Sequence, residues 1–363
     1  MLFVILVIAG HLSIVIACDA VGRKLLVELD REIGRKESYE HAKRMRIDRL
    51  RHELDCAVDD SARFGLAREL FNEYKNYNMD TALIVAGMCI KMAHSVCGDT
   101  LAPWRAKLMM AEALKGVGNY DRSQSMLDSM PFLSSGPLRH EYLNRYCSLF
   151  LSLYEATKPR SEAARYRSKL VEYRDSMSRM SAPGTWNQVL NLAEKYKLLG
   201  KPQEALDLYL GYVNSGAPDS ADISTATMAH LIGETYRMLG DKNRAINYLA
   251  RSAIQDIRNC TKKYVALQEL AYILNEDGDN ERAYRYITCS LGDIKACNAR
   301  SRVYQIADMV PVINDAFDLQ TKRTAPYQDV GHIVAVGTRR GLGRDAAVAE
   351  IAQPPSQCRE GKA

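Results

Sequence analysis

The chain has 363 residues, 47% of them hydrophobic and 26% charged, so it has enough apolar side chains for a sizeable core. Its 49 basic and 44 acidic residues give a net charge of +5, and because these charges are dispersed they argue against nucleic-acid binding by the main body. Glycine and proline fall at joints between helical segments, and residues 21–316 show no convincing alternating strand pattern, which predicts an all-α protein.

Residues 1–20 are predicted to be an export signal. Residues 2–17 are apolar but too short, with a Gly-His break, for a comfortable membrane span. Val15–Cys18 has the form of a lipobox, which would make Cys18 the lipidated first residue and tether the protein to the membrane. Cleavage by ordinary signal peptidase after Ala20 is the equal alternative, and a buried helix that is never removed is the third. The first two place the protein in the periplasm or cell envelope.

Residues 21–60 are predicted to form two charged amphipathic helices that cap the array described next. In the second helix, Ile47, Leu50 and Leu54 share one apolar stripe. Its basic residues are interleaved with acidic ones, which favours a solvated face beside a packed seam over a lipid or nucleic-acid surface.

Residues 61–300 carry a repeat with a period near forty residues. A small residue is followed seven positions on by glycine, five further on by alanine and four further on by a large apolar residue, the core spacing of a tetratricopeptide (TPR) repeat. The small residue lets two helices approach, the glycine closes their turn and the alanine sits where they cross. The three clear copies are Ala193-Gly200-Ala205-Tyr209, Gly233-Gly240-Ala245-Leu249 and Ala271-Gly278-Ala283-Ile287.

Weaker copies keep the same register, and residues 301–323 are predicted to close the array as a capping helix. The sequence thus predicts an all-α TPR-type solenoid, a right-handed superhelix of antiparallel helix pairs, with Ala205, Ala245 and Ala283 buried at the crossings. The weaker copies are Leu70-Tyr77-Ala82-Ala86, Ala111-Gly118-Ser123-Leu127 and a degenerate one around Ser152, Pro159, Ala164 and Ser168.

The motifs of catalysis and of metal or cofactor binding are missing from the sequence. The seven histidines form no HExxH or other metal-ligand spacing, and no GxSxG or GKS/GKT element occurs. Asp277-Gly278-Asp279 has the start of a calcium loop without its remaining ligands, which favours a turn between helices. The cysteines show no zinc-type spacing and are predicted to be buried apolar residues: Cys56, Cys89, Cys97, Cys147, Cys260, Cys289 and Cys297. We therefore expect a protein that is not an enzyme and needs no cofactor.

The concave groove of the array is the predicted binding surface for a protein or peptide. Side chains one and four residues beyond the small residue of each first helix should point into it, as in the pair Glu112/Lys115. Such pairs are also spaced for intrahelical ion pairs, which is the simpler interpretation of each pair alone. The predicted groove residues are Asn187, Glu194, Lys197, His230, Glu234, Arg237, Gln268, Tyr272 and Asn275.

A family resemblance rests on the stretches Leu25–Ile33, Tyr39–Leu50 and Leu70–Ala82. They resemble exported, membrane-anchored TPR proteins common in Bacteroidetes, whose biochemical role is largely unassigned. Members of that family combine a signal peptide, a periplasmic TPR array, one transmembrane helix, a coiled segment and a cytoplasmic helix-turn-helix of LuxR type. The resemblance covers about residues 1–323 and implies a sensory array in the periplasm.

Residues 324–363 depart from that pattern. They have neither a transmembrane helix nor a helix-turn-helix, and their composition shifts to Gly, Arg, Ala and Pro, which predicts disorder. Codon degeneracy permits a shifted reading frame in which Gly341–Ala349 becomes a leucine-rich span followed by arginines, so we expect a frameshifted or truncated product.

Two function classes follow. The first is the periplasmic sensory or scaffold module of a membrane-anchored transcriptional regulator. The second is a free-standing exported or lipid-anchored TPR adaptor that organises envelope proteins. An enzyme is a distant third.

Overall fold

The computed structural model describes residues 20–96, 98–130, 136–157, 160–215, 225–263, 265–302, 309–311, 313–315 and 317–318. All regular secondary structure in this part of the chain is α-helical. The helices are α1 (20–34), α2 (Lys36–Cys56), α3 (Asp60–Tyr74), α4 (Met79–Met92), α5 (Ala102–Gly116), α6 (Tyr120–Asp128), α7 (Arg139–Ala156), α8 (Arg160–Met180), α9 (Trp186–Leu198), α10 (Pro202–Asn214), α11 (Thr225–Met238), α12 (Lys242–Arg258), α13 (Ala266–Glu276) and α14 (Asn280–Cys297).

The helices pack as consecutive pairs, α3 with α4 through α13 with α14, and each pair contacts the next. This arrangement confirms the predicted all-α TPR solenoid. None of the helices among the described residues is both long and apolar enough to cross a membrane. A first compact unit runs to Phe317 and a second begins at Asp318; the features below belong to the first.

The turns inside the repeats share one geometry, which the sequence dictates. Gly278 has φ +84°, a left-handed conformation that L residues avoid, and the next amide, Asp279 N, donates to Leu274 O at 2.9 Å. The Asp279 carboxylate then accepts from Arg282 N and caps α14, so Asp277–Asp279 is the predicted inter-helix turn. The same glycine conformation recurs at Gly118, Gly200 and Gly240.

The helix crossings are as tight as the spacing predicts. Ala205, Ala245 and Ala283 are each 0% exposed, which confirms their predicted burial. At the α11–α12 crossing, a Cβ on Gly233 would lie only 2.8 Å from Leu249 Cγ. In the weaker copy on α5–α6, the Ser123 hydroxyl donates to Ala111 O at 2.8 Å, which explains how serine replaces the crossing alanine.

The degenerate copy on α7–α8 is shifted by one residue from the predicted register. Ala163 is 0% exposed and packs in the core, whereas the predicted Ala164 is exposed. No glycine stands between Ala156 and Arg160 to mark the turn, so the register of this copy could not be read from the sequence.

The hydrophobic core divides into two clusters. The smaller joins α5–α8 and is rich in tyrosine and phenylalanine rings that contact one another, such as Tyr146 and Phe150, whose ring centroids are 5.5 Å apart. The larger joins α1–α5 with α9–α14, so the first helices share a core with the last ones.

Helix α1 brings the two ends of the array together. The Tyr286 hydroxyl on α14 donates to Asp30 Oδ1 at 2.9 Å, and Arg282 Nε donates to Asp30 Oδ2 at 3.0 Å. On α2, the stripe of Ile47, Leu50 and Leu54 is buried as predicted. The N-terminal helices therefore contact the C-terminal repeats as well as the first pair. The sequence predicted only that they cap the start of the array.

Cys89, Cys147, Cys260 and Cys297 are buried free thiols, as predicted, and burial raises the pKa of the Cys147 thiol to about 11. Cys289 is half-buried, and Cys56 is exposed, contrary to the prediction. Residues 1–19 with Cys18, Cys97, Pro159 and the segment 319–363 lie outside the described residues, so the predictions for the export signal, the lipid anchor and the tail stay predictions.

Candidate functional site

A cavity of about 700 Å³ lies along the first helices of four successive repeats, α7, α9, α11 and α13. Its walls combine polar side chains with apolar ones such as Leu151, Leu231 and Val265. The four helices line one surface because each is the first helix of its pair and the pairs stack in the same orientation. Seven of the nine predicted groove residues line this cavity: Glu194, Lys197, His230, Glu234, Arg237, Gln268 and Tyr272.

The remaining two predicted residues do not line it. Asn187 is exposed in the first turn of α9, two turns before Glu194, and Asn275 is half-buried near the end of α13. Gln268 lines the cavity only as part of its floor, because it is 3% exposed and its amide donates to Ser290 Oγ at 3.0 Å.

The charged residues of the cavity wall form a ladder from repeat to repeat. Lys197 Nζ donates to Glu194 Oε1 at 2.8 Å, the intrahelical pair that the spacing predicts, and also to Glu234 Oε2 on α11. The Tyr209 hydroxyl donates to Glu194 Oε1 at 2.7 Å. The lysine side chain is 8% exposed, so this ion pair joins two repeats within the protein rather than on its surface.

A similar set of ion pairs joins α11 to α13. Arg237 Nη2 lies 3.7 Å and His230 Nε2 lies 3.8 Å from Glu269 Oε1 on α13. The expected intrahelical pair of Glu234 with Arg237 is replaced by these contacts to neighbouring repeats. We call the set Glu194, Lys197, Glu234, Arg237, His230 and Glu269 the ion-pair ladder.

The pKa shifts of Glu194, Lys197 and His230 all favour the charged form of each side chain. Burial opposes the charge on Glu194, but Lys197 and Arg174 outweigh it and hold the pKa of the carboxyl well below its usual range. Burial opposes the charge on Lys197 as well, and Glu194 with Glu234 raises its pKa. For His230, Glu269 outweighs burial and raises the pKa of the imidazole.

The open part of the cavity is apolar and aromatic. Tyr272 is 42% exposed and Met238 is 45% exposed, and both line the cavity next to the ladder. Exposed aromatic and methionine side chains of this kind are enriched where proteins bind partners. The arrangement therefore suits non-covalent binding of a segment with apolar and polar groups.

Among the described residues, no group of three His, Cys, Asp or Glu side chains is placed to hold a metal ion. The sequence interpretation also missed several lining residues. Glu269 lies one turn before Tyr272 on the same helix face, so helical spacing could have identified it. Arg302 and Met309 come from the segment after α14, and no pattern in the sequence indicates that this segment returns to the cavity.

Comparisons with known proteins agree with the repeat pattern. None of the curated proteins compared with the chain matches it. A solved structure that matches is the crystal structure of BtubC (BKLC) from P. vanneervenii, 12% identical over 77% of this chain and 99% of that chain. Its TM-score of 0.26 is too low to support an argument. The model of the SusR N-terminal TPR domain matches residues 33–308, well over half of the sequence. The protein therefore belongs to the SusR N-terminal TPR domain family.

Proposed function

We propose that this protein is a non-enzymatic interaction module whose cavity binds an extended segment of a partner protein. One observation carries the proposal: four successive repeats supply a single cavity in which the charges of the ion-pair ladder are paired and Tyr272 and Met238 stay exposed. The paired ladder fixes the spacing of the repeats, and Tyr272 and Met238 offer the contact area. A partner segment would therefore be held by neighbouring repeats together.

The experiment is site-specific photo-crosslinking from position 272 in envelope extracts, compared with crosslinking from position 291. Leu291 is 37% exposed on α14 and does not line the cavity. Because the crosslinking residue itself replaces Tyr272, we expect one defined adduct from position 272 that Met238→Ala weakens. The pair Leu291→Ala and Val213→Ala removes apolar side chains of similar exposure elsewhere and should leave the adduct unchanged. An adduct from position 291 alone would contradict the groove assignment.

For the biological role, we infer the periplasmic sensory or scaffold part of a membrane-anchored regulator. The family assignment, the export signal predicted at residues 1–20 and the resemblance over residues 1–323 support this role. A free-standing envelope adaptor is the second candidate, favoured by the change of composition after residue 323.

Two measurements distinguish these roles. Sequencing the gene beyond codon 323 should show an open shifted frame that encodes a membrane helix and a helix-turn-helix if the regulator is correct. An in-frame, unrelated coding sequence there would favour the adaptor. Cell fractionation should recover the protein outside the cytoplasm in both cases, and a cytoplasmic protein that keeps residues 1–17 would contradict both.

A further inference from the structure

Basic side chains converge around Arg302, which lines the cavity outside the ion-pair ladder. They are contributed by α3, α5, α7, the loop between α12 and α13, and the segment after α14. We call this set the basic cluster: Lys75, Lys115, Arg145, Lys263 and Arg302.

Backbone contacts explain why residues so distant in sequence meet here. Lys262 N donates to Asn76 O at 2.8 Å, which places Lys263 beside the end of α3. The Ser301 hydroxyl donates to Gly116 O at 3.2 Å, which places Arg302 beside the end of α5. These contacts between the two ends of the array thus bring Lys263 and Arg302 close to the cations of the first repeats.

The carboxylate of Glu112 pairs with two members of this cluster, Arg145 and Lys75. Glu112 Oε2 lies 2.9 Å from Arg145 Nη2, and Glu112 Oε1 lies 3.9 Å from Lys75 Nζ. Lys115, in contrast, donates to the neutral Ser148 hydroxyl at 2.9 Å. Within the described ranges, no carboxylate lies at ion-pair distance from the Lys115 or Lys263 ammonium. In the ladder, by comparison, every cation has a carboxylate.

This arrangement is costly for the lysines unless an anion joins them. Burial and the neighbouring charges of Lys263 and Arg302 lower the pKa of Lys115 to about 7. Burial lowers the pKa of Lys263 to about 8, with Arg302 contributing and Glu112 opposing. Half-buried lysines that lie beside other cations and have no carboxylate at ion-pair distance destabilise the protein, whereas a bound anion would neutralise them.

The cluster also has access to space. Arg302 lines the 700 Å³ cavity, as do Leu151, one turn after Ser148, and Val265, two residues after Lys263. An anionic group at the lysines would therefore continue into the apolar part of the same cavity.

We propose that Lys115, Lys263 and Arg302 form a binding site for an oxyanion group, a carboxylate or a phosphate, of a ligand that enters the cavity. The remainder of that ligand would lie in the cavity, and this part of the inference rests on the proposed binding function. The anion site itself rests on the cluster alone. The ligand class is thus an anionic solute or an acidic group of a bound segment, held by charge-assisted hydrogen bonds.

The test uses the full chain and two probes, inorganic phosphate and succinate, at constant ionic strength with chloride as the reference. We expect each effective probe to raise the melting temperature at pH 7 and to bind in calorimetry. Because an anion raises the pKa values of the lysines, binding at pH 8 should take up protons. Calorimetry in two buffers of different ionisation enthalpy measures this uptake.

The variants Lys115→Met and Lys263→Met should fold, because replacing a half-buried cation that has no carboxylate partner by an apolar residue is often neutral or stabilising. Each should weaken probe binding about tenfold or more and reduce the proton uptake. Lys201→Met removes an equal charge at a side chain that is 55% exposed and should change neither measurement.

If only phosphate binds and raises the melting temperature, the site takes a phosphate group. If only succinate does so, the site takes a carboxylate group. If neither probe acts beyond chloride, or if Lys115→Met and Lys263→Met retain binding and proton uptake, the proposal is wrong. Photo-crosslinking from position 272 is independent of these lysines, so its success or failure reports on the cavity and not on the anion site.

Discussion

Arg258 on α12 and Glu32 on α1 form an ion pair with 3.1 Å between Nη2 and Oε1, although 226 residues separate them in the sequence. Glu32 is 1% exposed and also accepts a hydrogen bond from the Tyr39 hydroxyl. The Tyr39 hydrogen bond, opposed by burial and aided by Arg258, lowers the pKa of Glu32. The pair therefore connects the first helix of the chain to the penultimate repeat through a buried charge.

Removal of this pair should loosen α1. Arg258→Ala removes the closer of the two cations beside Glu32 and leaves the exposed Arg31 at 3.5 Å, and we expect a loss of about 1–3 kcal/mol in the free energy of unfolding. Hydrogen exchange should show faster exchange of the α1 amides. Arg251→Ala removes an exposed arginine from the same helix and serves as the control. Equal exchange of α1 in both variants would contradict a role for the pair.

Two glycine substitutions should have opposite effects. Gly233→Ala places a Cβ 2.8 Å from Leu249 Cγ and 3.0 Å from its backbone nitrogen, so the α11–α12 crossing must open, at a cost of about 1–3 kcal/mol. Gly211→Ala adds a methyl in α10 with no atom within 4 Å and should stabilise by about 0.5–1 kcal/mol. Urea denaturation measures both. An unchanged Gly233→Ala midpoint would mean that the crossing is looser than described.

Ala245→Leu tests the predicted repeat register itself. Ala245 is 0% exposed, so the larger side chain overpacks the crossing and should cost about 1–3 kcal/mol in a thermal melt. Ala164→Leu makes the same change at an exposed position of α8 and should be nearly neutral. If both variants melt alike, the register is incorrect.

Lys197 should be the most sensitive position of the ion-pair ladder. Lys197→Met leaves Glu194 and Glu234 without their shared cation in a largely buried site, and we expect a loss of about 3–5 kcal/mol. Charge reversal at this position would add a third carboxylate and cost more, so it is unsuitable for testing partner binding. Urea denaturation with Lys201→Met, whose lysine is 55% exposed, provides the comparison. If Lys197→Met loses no more stability than Lys201→Met, the ion-pair ladder contributes little to the free energy of unfolding.

Asp256 on α12 should make stability fall as the pH rises. Burial raises the pKa of its carboxyl to about 7, and His230 opposes this shift. Because the folded state keeps a proton that the unfolded state has released, this contribution is present below about pH 4 and is lost by about pH 7. His230, whose pKa is also raised, adds stability that is present below its unfolded pKa and is lost as the pH passes its folded pKa.

The measurement is urea denaturation of the protein and of Asp256→Asn across this pH window. The variant should lose less stability on going from pH 4 to pH 8 and should exceed the parent protein at pH 8 by on the order of 2 kcal/mol. Asp207→Asn changes an exposed carboxylate and is the control. Parallel pH curves for Asp256→Asn and the parent would contradict the raised pKa.

The sequence predicted those features that depend on one repeat at a time. The spacing identified the crossing alanines, such as Ala245, because each crossing involves two adjacent helices with a fixed turn. It also placed seven of the nine predicted groove residues on the cavity wall, because helical register determines which side chains share a face. Asn187 was misplaced because the register gives the face of a helix but not how far the cavity extends along it.

Features that depend on distant segments were not predictable from the pattern. Glu194/Lys197 and Glu112/Lys115 have the same spacing, yet only the first pair forms within its helix. The difference arises because Glu112 forms its ion pair with Arg145 on the neighbouring repeat instead. The basic cluster and the return of Arg302 depend in the same way on how the ends of the array meet.

The packing of α1 on α12 and α14 has a kinetic consequence. A solenoid whose repeats contact only their neighbours can begin to fold at any repeat and extend from there. Here α1 also needs its partner Arg258, which lies 226 residues away in the sequence. Helix α1 can therefore complete its packing only after the distant α11–α12 pair has formed. The high sequence separation of this contact should therefore slow the last folding step and make it the point at which a holding chaperone acts.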